Sequence, residues 1–511
     1  DRVERMLLIN KNELDVLSDK PSVFNNGDEF FSTDSYFYDL DIFGEKSVYH
    51  LLNRTGTTIG ANELADCLKK PELDKDAILE QQDAIKELSD KKDLRQNILA
   101  TAINQKGKKS DVKNIQDWVD DKATFVKKWW KLAVIIAPVL FTTSLIYGLM
   151  HDSYYFFSIV FVVNLGACFY ISRGIDKVHN KLSGASKLLK QYADIFSIIS
   201  REEFRNKQLS NIYQVSYNAT TLLKKLSSII NLFDQRMNLL VVVFFNAIFF
   251  YDLHCIMILE RWKKNNGKNV SKWFNCIAQI ETLNSFATFA FNNPQYTTPK
   301  INENGKIVEA KNLAHPLMSA SKRVSNDVNF GTGGKVILIT GSNMSGKSTY
   351  LRTVGVNVLL ASCGAPVCAD EFTFCPVNIY TSLRQSDSLQ EDTSFFYAEL
   401  KKLSKIVNHL EAGNKAIVLL DEVLKGTNSD DKTYGSQELI RKLKHFDALS
   451  LIATHDISLG RMEKDSEGSI KNYCFESSIE NNELLFDYKL HKGVAVNKNA
   501  TFLMKKMGII E

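Results

Sequence analysis

The sequence predicts a multidomain protein of α plus α/β class, in which a helical core carrying an apolar helical hairpin precedes an α/β domain. Three observations lead there. Two neighbouring runs, Leu132–Met150 and Tyr154–Ile171, contain no charged residue. From Lys306 onward, short β-rich runs (Val336–Thr340, Ala416–Leu420, Leu449–Thr454) alternate with helical stretches, as in a parallel sheet covered by helices. The length of 511 residues also exceeds what one hydrophobic core organises. The boundaries read as 1–125 for a first helical core segment, 126–178 for the hairpin, 179–300 for a second helical core segment and 301–511 for the α/β domain.

In the first segment a polar, turn-rich start (Asp19–Asp34) gives way to helical patterning. Ile78–Leu94 spaces apolar residues among charges as a surface helix on a core does, and Pro71 marks a boundary between two such helices. Each uncharged run then has about the 17–20 residues that cross a bilayer as a helix. Only His151, Asp152 and Ser153 separate them, which implies two antiparallel helices and a tight turn. Lys127, Lys128 and Lys131 flank one side and Arg173, Lys177 and Lys181 the other, so both flanks are expected on the cytoplasmic face of a lipid bilayer. Trp129, Trp130, Tyr154 and Tyr155 stand where interfacial aromatic belts form. A buried helical hairpin in a large core is the alternative. A third apolar run, Leu239–Tyr251, is about 13 residues long, contains Asn246 and runs into Asp252, which favours a core helix over a span.

Bulk composition fits a globular protein, with 44% hydrophobic and 24% charged residues. A net charge of +4 neither demands nor excludes a nucleic-acid partner. The eight cysteines form no CxxC pair; the closest set, Cys363, Cys368 and Cys375, reads as buried thiols in a reducing compartment. The chain opens at Asp1 without an initiator methionine or signal peptide and reads as a fragment.

The chemistry concentrates near residue 341. Gly341-Ser342-Asn343-Met344-Ser345-Gly346-Lys347-Ser348 fits the phosphate-binding pattern G-x-x-x-x-G-K-[ST], with an apolar strand entering and a helical pattern from Thr349 leaving. Glycines let the backbone curl its N–H groups around phosphate oxygens beside a helix N-terminus. Lys347 is expected to neutralise the β and γ phosphates of ATP, and the Ser348 hydroxyl to coordinate Mg2+. About 75 residues later, the strand Ile417-Val418-Leu419-Leu420 delivers Asp421 and Glu422 at its carboxyl end. Asp421 suits the metal, and Glu422 suits orienting or deprotonating the attacking water. A third strand, Leu449–Thr454, ends in His455, which can donate to the γ-phosphate or the water.

Together these motifs resemble the ATPase of the MutS mismatch-repair family. The residues that carry the likeness are Thr340 to Thr349, then Ser394-Phe395-Phe396-Tyr397-Ala398-Glu399, then Asp421-Glu422 with Lys425-Gly426-Thr427 and Asp431, then Ala453-Thr454-His455. A weaker likeness to the family's helical core covers Leu40–Gly44, Leu52–Thr55 and Asp74–Leu88. The resemblance implies ATP hydrolysis by a homodimer with composite sites, with Ser394 reaching the partner's γ-phosphate, and it implies DNA as a partner. Arg323 stands at the family's base-stacking aromatic position, Ser342 and Ser345 replace a proline and a glycine, and Lys425 replaces an arginine. No room exists before Asp41 for a mismatch-reading domain, and no Phe-x-Glu reader is found. The chain therefore resembles the membrane-associated MutS-like subgroup, with the ATPase domain in the cytoplasm at the cytoplasmic membrane. Lys106, Lys108 and Lys109 form the densest basic cluster of the helical part, suited to solvent, anionic lipid or DNA. Two other classes remain open: a transporter of the ABC type, against which stands the absence of an LSGGQ-like signature, and a nucleotide-gated membrane scaffold or sensor without mismatch recognition.

Overall fold

A computed structural model describes residues 2–32, 35–104, 109–121, 128–238, 241–303, 306–330, 334–384, 395–480, 483–496, 504, 507 and 509–510. The chain forms two compact units. The first comprises Asp1–Ile9, Arg54–Glu63 and Lys91–Asn284; the second comprises Asn10–Asn53, Leu64–Asp90 and Ser285–Glu511. Residues 10–53 and 64–90, which the sequence assigns to a helical core, thus share a unit with the sheets.

The first unit is helical. Helices Ala185–Ile199 and Lys207–Asp234 pack along each other, burying Leu189, Tyr192, Phe196, Leu223 and Ile230. Gln191 donates to the Thr101 carbonyl at 3.0 Å and to that of Ala102, closing the last turn of helix Lys92–Ala102. Helices Lys128–His151 and Tyr155–Leu182 are the expected hairpin, turning through Asp152 at φ 48°. Stretches of both, Leu132–His151 and Tyr155–Leu182, are long and apolar enough to cross a membrane. Two expectations change here. Trp130 is buried against Phe250, with ring centroids 6.4 Å apart, so this ring does not belong to an interfacial belt. The third apolar run is not a core helix. It is a short π-type turn, Val241–Phe245, continued by helix Asn246–Phe249, broken at Phe250 (φ 49°), and it leaves Phe244, Phe245 and Phe249 exposed.

The second unit contains two sheets. Strands β1 (Lys300–Ile301), β2 (Val308–Leu313), β3 (Asn326–Val328) and β5 (Glu371–Phe374) form a small mixed sheet in the order β1-β5-β2-β3. Strands β4 (Val336–Thr340), β6 (Asn378–Ser382), β7 (Ala416–Asp421), β8 (Ala448–Thr454), β9 (Ile470–Glu480) and β10 (Glu483–Lys492) form the larger one, ordered β10-β9-β4-β8-β7-β6. It is parallel from β9 to β6, with β10 antiparallel at the edge. β4 is buried on both faces, as the inner strand of a sheet covered by helices must be. On one face Val336, Leu338, Val418 and Leu420 pack with Leu403 and Ile406 of helix Phe395–Glu411 and Ile440 of helix Ser429–Leu443. On the other, helix Lys347–Ser362 approaches so closely that a Cβ on Gly355 would sit 2.8 Å from Leu419 and 2.9 Å from Leu40. The segment containing Leu40 is tied down by ions: Asp39, fully buried, accepts from Thr381 Oγ1 (2.6 Å), the Arg384 amide (2.9 Å) and Lys402 (2.7 Å). Asp41 takes both Nη atoms of Arg384 at 2.7 Å.

Candidate nucleotide site

Strand register assembles the site. In the large sheet Thr340 lies beside Thr454, and Ala453 beside Asp421. The residues that follow, Gly341, His455 and Glu422, therefore emerge side by side at the carboxyl edge, where open α/β sheets bind ligands.

The loop after β4 curls because two of its glycines take conformations that side chains resist. Gly341 has φ 154°, and a Cβ there would stand 2.8 Å from the Phe475 carbonyl oxygen; Gly346 has φ 107° and caps helix Lys347–Ser362 in the left-handed region. The first turn of that helix points into a cavity of about 450 Å³ lined by loop residues Asn343–Gly346, by Lys347, Ser348 and Thr349, and by Glu422. Lys347 is buried, and its ammonium donates to the carbonyls of Gly341 (2.9 Å) and Ser342 (2.8 Å). Burial lowers its pKa, opposed by the nearby charges of Asp421 and Glu422. Ser348 donates its hydroxyl to Asp421 Oδ2. The loop and the acids, expected to converge, meet.

Glu422 sits at φ 52°, fixed by its amide donating to the Ala453 carbonyl at 2.8 Å. Its Oε1 lies 2.5 Å from His455 Nε2 and its Oε2 3.1 Å from Lys425 Nζ. The hydrogen bond from His455, reinforced by Lys425 and opposed by burial, holds the Glu422 carboxyl down at about 2. His455 also sets Nδ1 2.8 Å from the Gly341 carbonyl and Nε2 2.7 Å from Asn343 Oδ1, so it bridges the loop and the acid.

Several participants carried no role in the sequence reading. Glu399 accepts from the Leu424 amide at 2.7 Å and so fixes the turn after Glu422. Phe396 packs so near Gly426 that a Cβ there would come within 2.9 Å. Leu313, Met318, Val324, Phe475 and Tyr488 give the cavity its apolar wall, joined by Lys322 and Asn326. Tyr488 (φ 54°) occupies an irregularity of β10 between Phe486 and Leu490; its backbone is held by Asn326, which donates to the Tyr488 carbonyl (2.9 Å) and accepts from the Leu490 amide (2.8 Å). An aromatic interrupting strand alternation between Asp487 and Lys489 was the available signal. Arg323 does not line the cavity: its Nη1 donates to the Tyr296 hydroxyl at 2.8 Å, and its guanidinium lies over that ring. Ser394 lies outside the described residues, as do Lys106 and Lys108. Cys363, Cys368 and Cys375 are buried free thiols, and among the described residues no cluster suited to a metal made of His, Cys, Asp and Glu is found.

The family described as MutS domain V matches residues 337–508. The chain is similar to the DNA mismatch repair protein MutS of Caldicellulosiruptor saccharolyticus, 28% identical over 66% of this chain and 39% of that protein. It is similar also to the MutS of Fusobacterium nucleatum (32% identical; 45% of this chain, 26% of that protein). The DNA mismatch repair protein MSH3 of Debaryomyces hansenii is 29% identical over 48% of this chain and 25% of its own length. The chain thus spans well under half the length of these relatives. Its strand–loop–helix, paired acids and strand-end histidine fall inside the matched stretch, and residues 337–508 are a domain of the MutS family.

Proposed function

We propose that the chain is a membrane-anchored MutS-type ATPase that binds ATP with Mg2+ in the cavity beside Lys347 and hydrolyses it, with residues 301–511 as the ATPase domain and residues 10–53 and 64–90 as its structural support. The observation that carries this is the chain of contacts Ser348–Asp421, Glu422–His455 and His455–Gly341 across three adjacent strand ends. The donor set fits the ligands. Ser348 and Asp421 offer the hard oxygens that suit Mg2+, which supplies charge neutralisation at the phosphates. The buried Ser345 hydroxyl has no hydrogen-bond partner among the described residues and lines the same cavity.

In this reading Lys347 exchanges its bonds to the Gly341 and Ser342 carbonyls for the β and γ phosphates, and the loop amides from Ser342 to Thr349 surround them. Glu422, ionised because His455 and Lys425 face it, accepts a proton from the attacking water or orients it. His455, already bonded to Glu422 and to the loop, carries the state of the γ-phosphate between them. The base rests on the apolar wall at Tyr488, Val324 and Met318, in place of Arg323. Action as a homodimer, with Ser394 reaching the partner's nucleotide, and action on DNA are carried over from the family; three relatives are named for DNA mismatch repair. The two membrane-length helices support anchoring in the cytoplasmic membrane with the ATPase domain in the cytoplasm.

The test is Mg2+-dependent ATP binding and hydrolysis by the purified chain in detergent. Lys347→Ala is expected to weaken ATP binding by ~100-fold, the loss of about two charge-assisted hydrogen bonds. Asp421→Asn is expected to abolish the Mg2+ dependence. Equal ATP affinity in the Lys347→Ala variant sinks the proposal. DNA action is tested separately: the logarithm of affinity for mismatched duplex should fall linearly with that of salt concentration and exceed that for homoduplex.

A further inference from the structure

The apolar segment after residue 240 is left unexplained by the hairpin. It is too short to span, since Val243–Phe249 is followed by a 71° bend into helix Tyr251–Asn292. It is also too exposed for a core element, with Phe244 at 52%, Phe245 at 49% and Phe249 at 44%. We infer that residues 243–249 are a third membrane-embedded element: a re-entrant segment lying against the hairpin, its phenylalanines facing the acyl chains of the leaflet nearest the positively charged flanks.

Depth comes from the hairpin itself, and the inference rests on reading that hairpin as spanning. Asn164 Nδ2 donates to the Ala247 carbonyl at 2.7 Å, and Cys168 Sγ lies 3.6 Å from the Asn246 carbonyl oxygen. At 1.5 Å per residue Asn164 is about 14 Å along helix Tyr155–Leu182, close to the middle of a hydrocarbon layer about 30 Å thick. The chain breaks its helix there, and a break at that depth requires that freed backbone groups find partners inside the protein. They do. Asn164 serves the Ala247 carbonyl, the Phe250 amide donates to that of Asn246 at 3.0 Å, and Asn246 Oδ1 accepts from the Asp252 amide at 2.9 Å. In an aqueous setting water would satisfy these groups, and three phenylalanines on one segment would bury themselves instead.

Both ends return to the same side. Arg236, before the segment, lies 2.8 Å from Asp176 and 3.1 Å from Asp252 just after it, and Asp176 follows Arg173 beyond the apolar run of its helix. Phe250, at the turn, packs on Trp130 near the start of the first apolar helix. The path therefore enters and leaves at one face.

The test uses the full chain reconstituted in phosphatidylcholine vesicles, with an environment-sensitive fluorophore on Phe244→Cys or Phe245→Cys, quenched by lipids doxyl-labelled deep in the acyl chain. The unsubstituted chain measures labelling of native thiols, Val162→Cys is the mid-hairpin reference and Tyr217→Cys the aqueous one; both positions are exposed. Quenching of both phenylalanine positions to at least half that at Val162→Cys is expected. If they behave like Tyr217→Cys while Val162→Cys is quenched, the re-entrant segment is overturned and the hairpin stands. If Val162→Cys is itself unquenched, the spanning hairpin falls and takes this inference with it.

Discussion

Two glutamates in different units show how the same side chain is turned to opposite ends. Glu422, at the sheet edge, faces the His455 ring and the Lys425 ammonium and is held down at about 2. Glu281, fully buried in the helical unit, accepts from the Gly56 amide (2.7 Å), the Thr57 amide (3.2 Å) and the Thr57 hydroxyl, yet burial carries it up to about 7. Neutral dipoles offset only part of the desolvation of a carboxylate, whereas a charged neighbour outweighs it. Glu281 is spent on architecture, closing the N-terminus of helix Thr58–Lys69. Glu422 is kept ionised and accessible.

The sharpest way to break this contrast is Glu422→Gln. Turnover should fall by ~10²–10⁴-fold while ATP binding stays within a few-fold, read by steady-state hydrolysis and equilibrium binding. A variant keeping most of its turnover would put Glu422 among the structural carboxylates. Glu281→Ala should do the reverse. The buried Thr57 amide and the part-buried Gly56 amide lose their acceptor, at up to ~1–3 kcal/mol each, so the unfolding temperature drops while ATP affinity of the folded fraction is unchanged. The pH dependence separates the two again. The folded pKa of Glu281 is raised from 4.5, so its contribution to stability is full below about 4.5 and is lost as pH rises through 7, a decline of at most ~3 kcal/mol. Glu422 runs oppositely: its contribution is full above 4.5 and is lost as pH falls toward 2. Glu281→Gln should flatten the neutral limb of a stability–pH profile and leave the acid limb intact. The smallest effect belongs to the apolar wall. Tyr488→Ala should raise the Michaelis constant for ATP ~3–10-fold without changing kcat, and Tyr488→Phe should restore it.

What could be read from the sequence follows from how local each signal is. The loop from Gly341 to Ser348 and the strand ends at Asp421 and His455 are contiguous motifs, and parallel register does the rest once the strands are recognised. The hairpin was legible because lack of charge over two helix lengths needs no tertiary context. The lost contacts are those that depend on distant partners. Arg323 stands at the position where the family resemblance implies a base-stacking aromatic, but Tyr296, 27 residues upstream, holds its guanidinium. Trp130 looked interfacial until Phe250 covered it. Residues 239–251 combined a short length with an internal asparagine, the signature of a core helix, and nothing local announced that Asn164 would meet a broken backbone there.

Asp39 carries a practical consequence. Its carboxylate and the short helix Tyr36–Asp39 lie against β6, the outermost parallel strand, satisfying Thr381, Arg384 and Lys402 together. Residues 337–508 expressed by themselves would therefore leave a sheet margin uncovered, a cation, an amide and a hydroxyl stripped of their acceptor, and a Leu40-shaped hollow beside Gly355. Residues 337–508 are part of a fold completed by residues laid down three hundred positions earlier, so a fragment that keeps this sheet margin covered has to include Tyr36–Leu40.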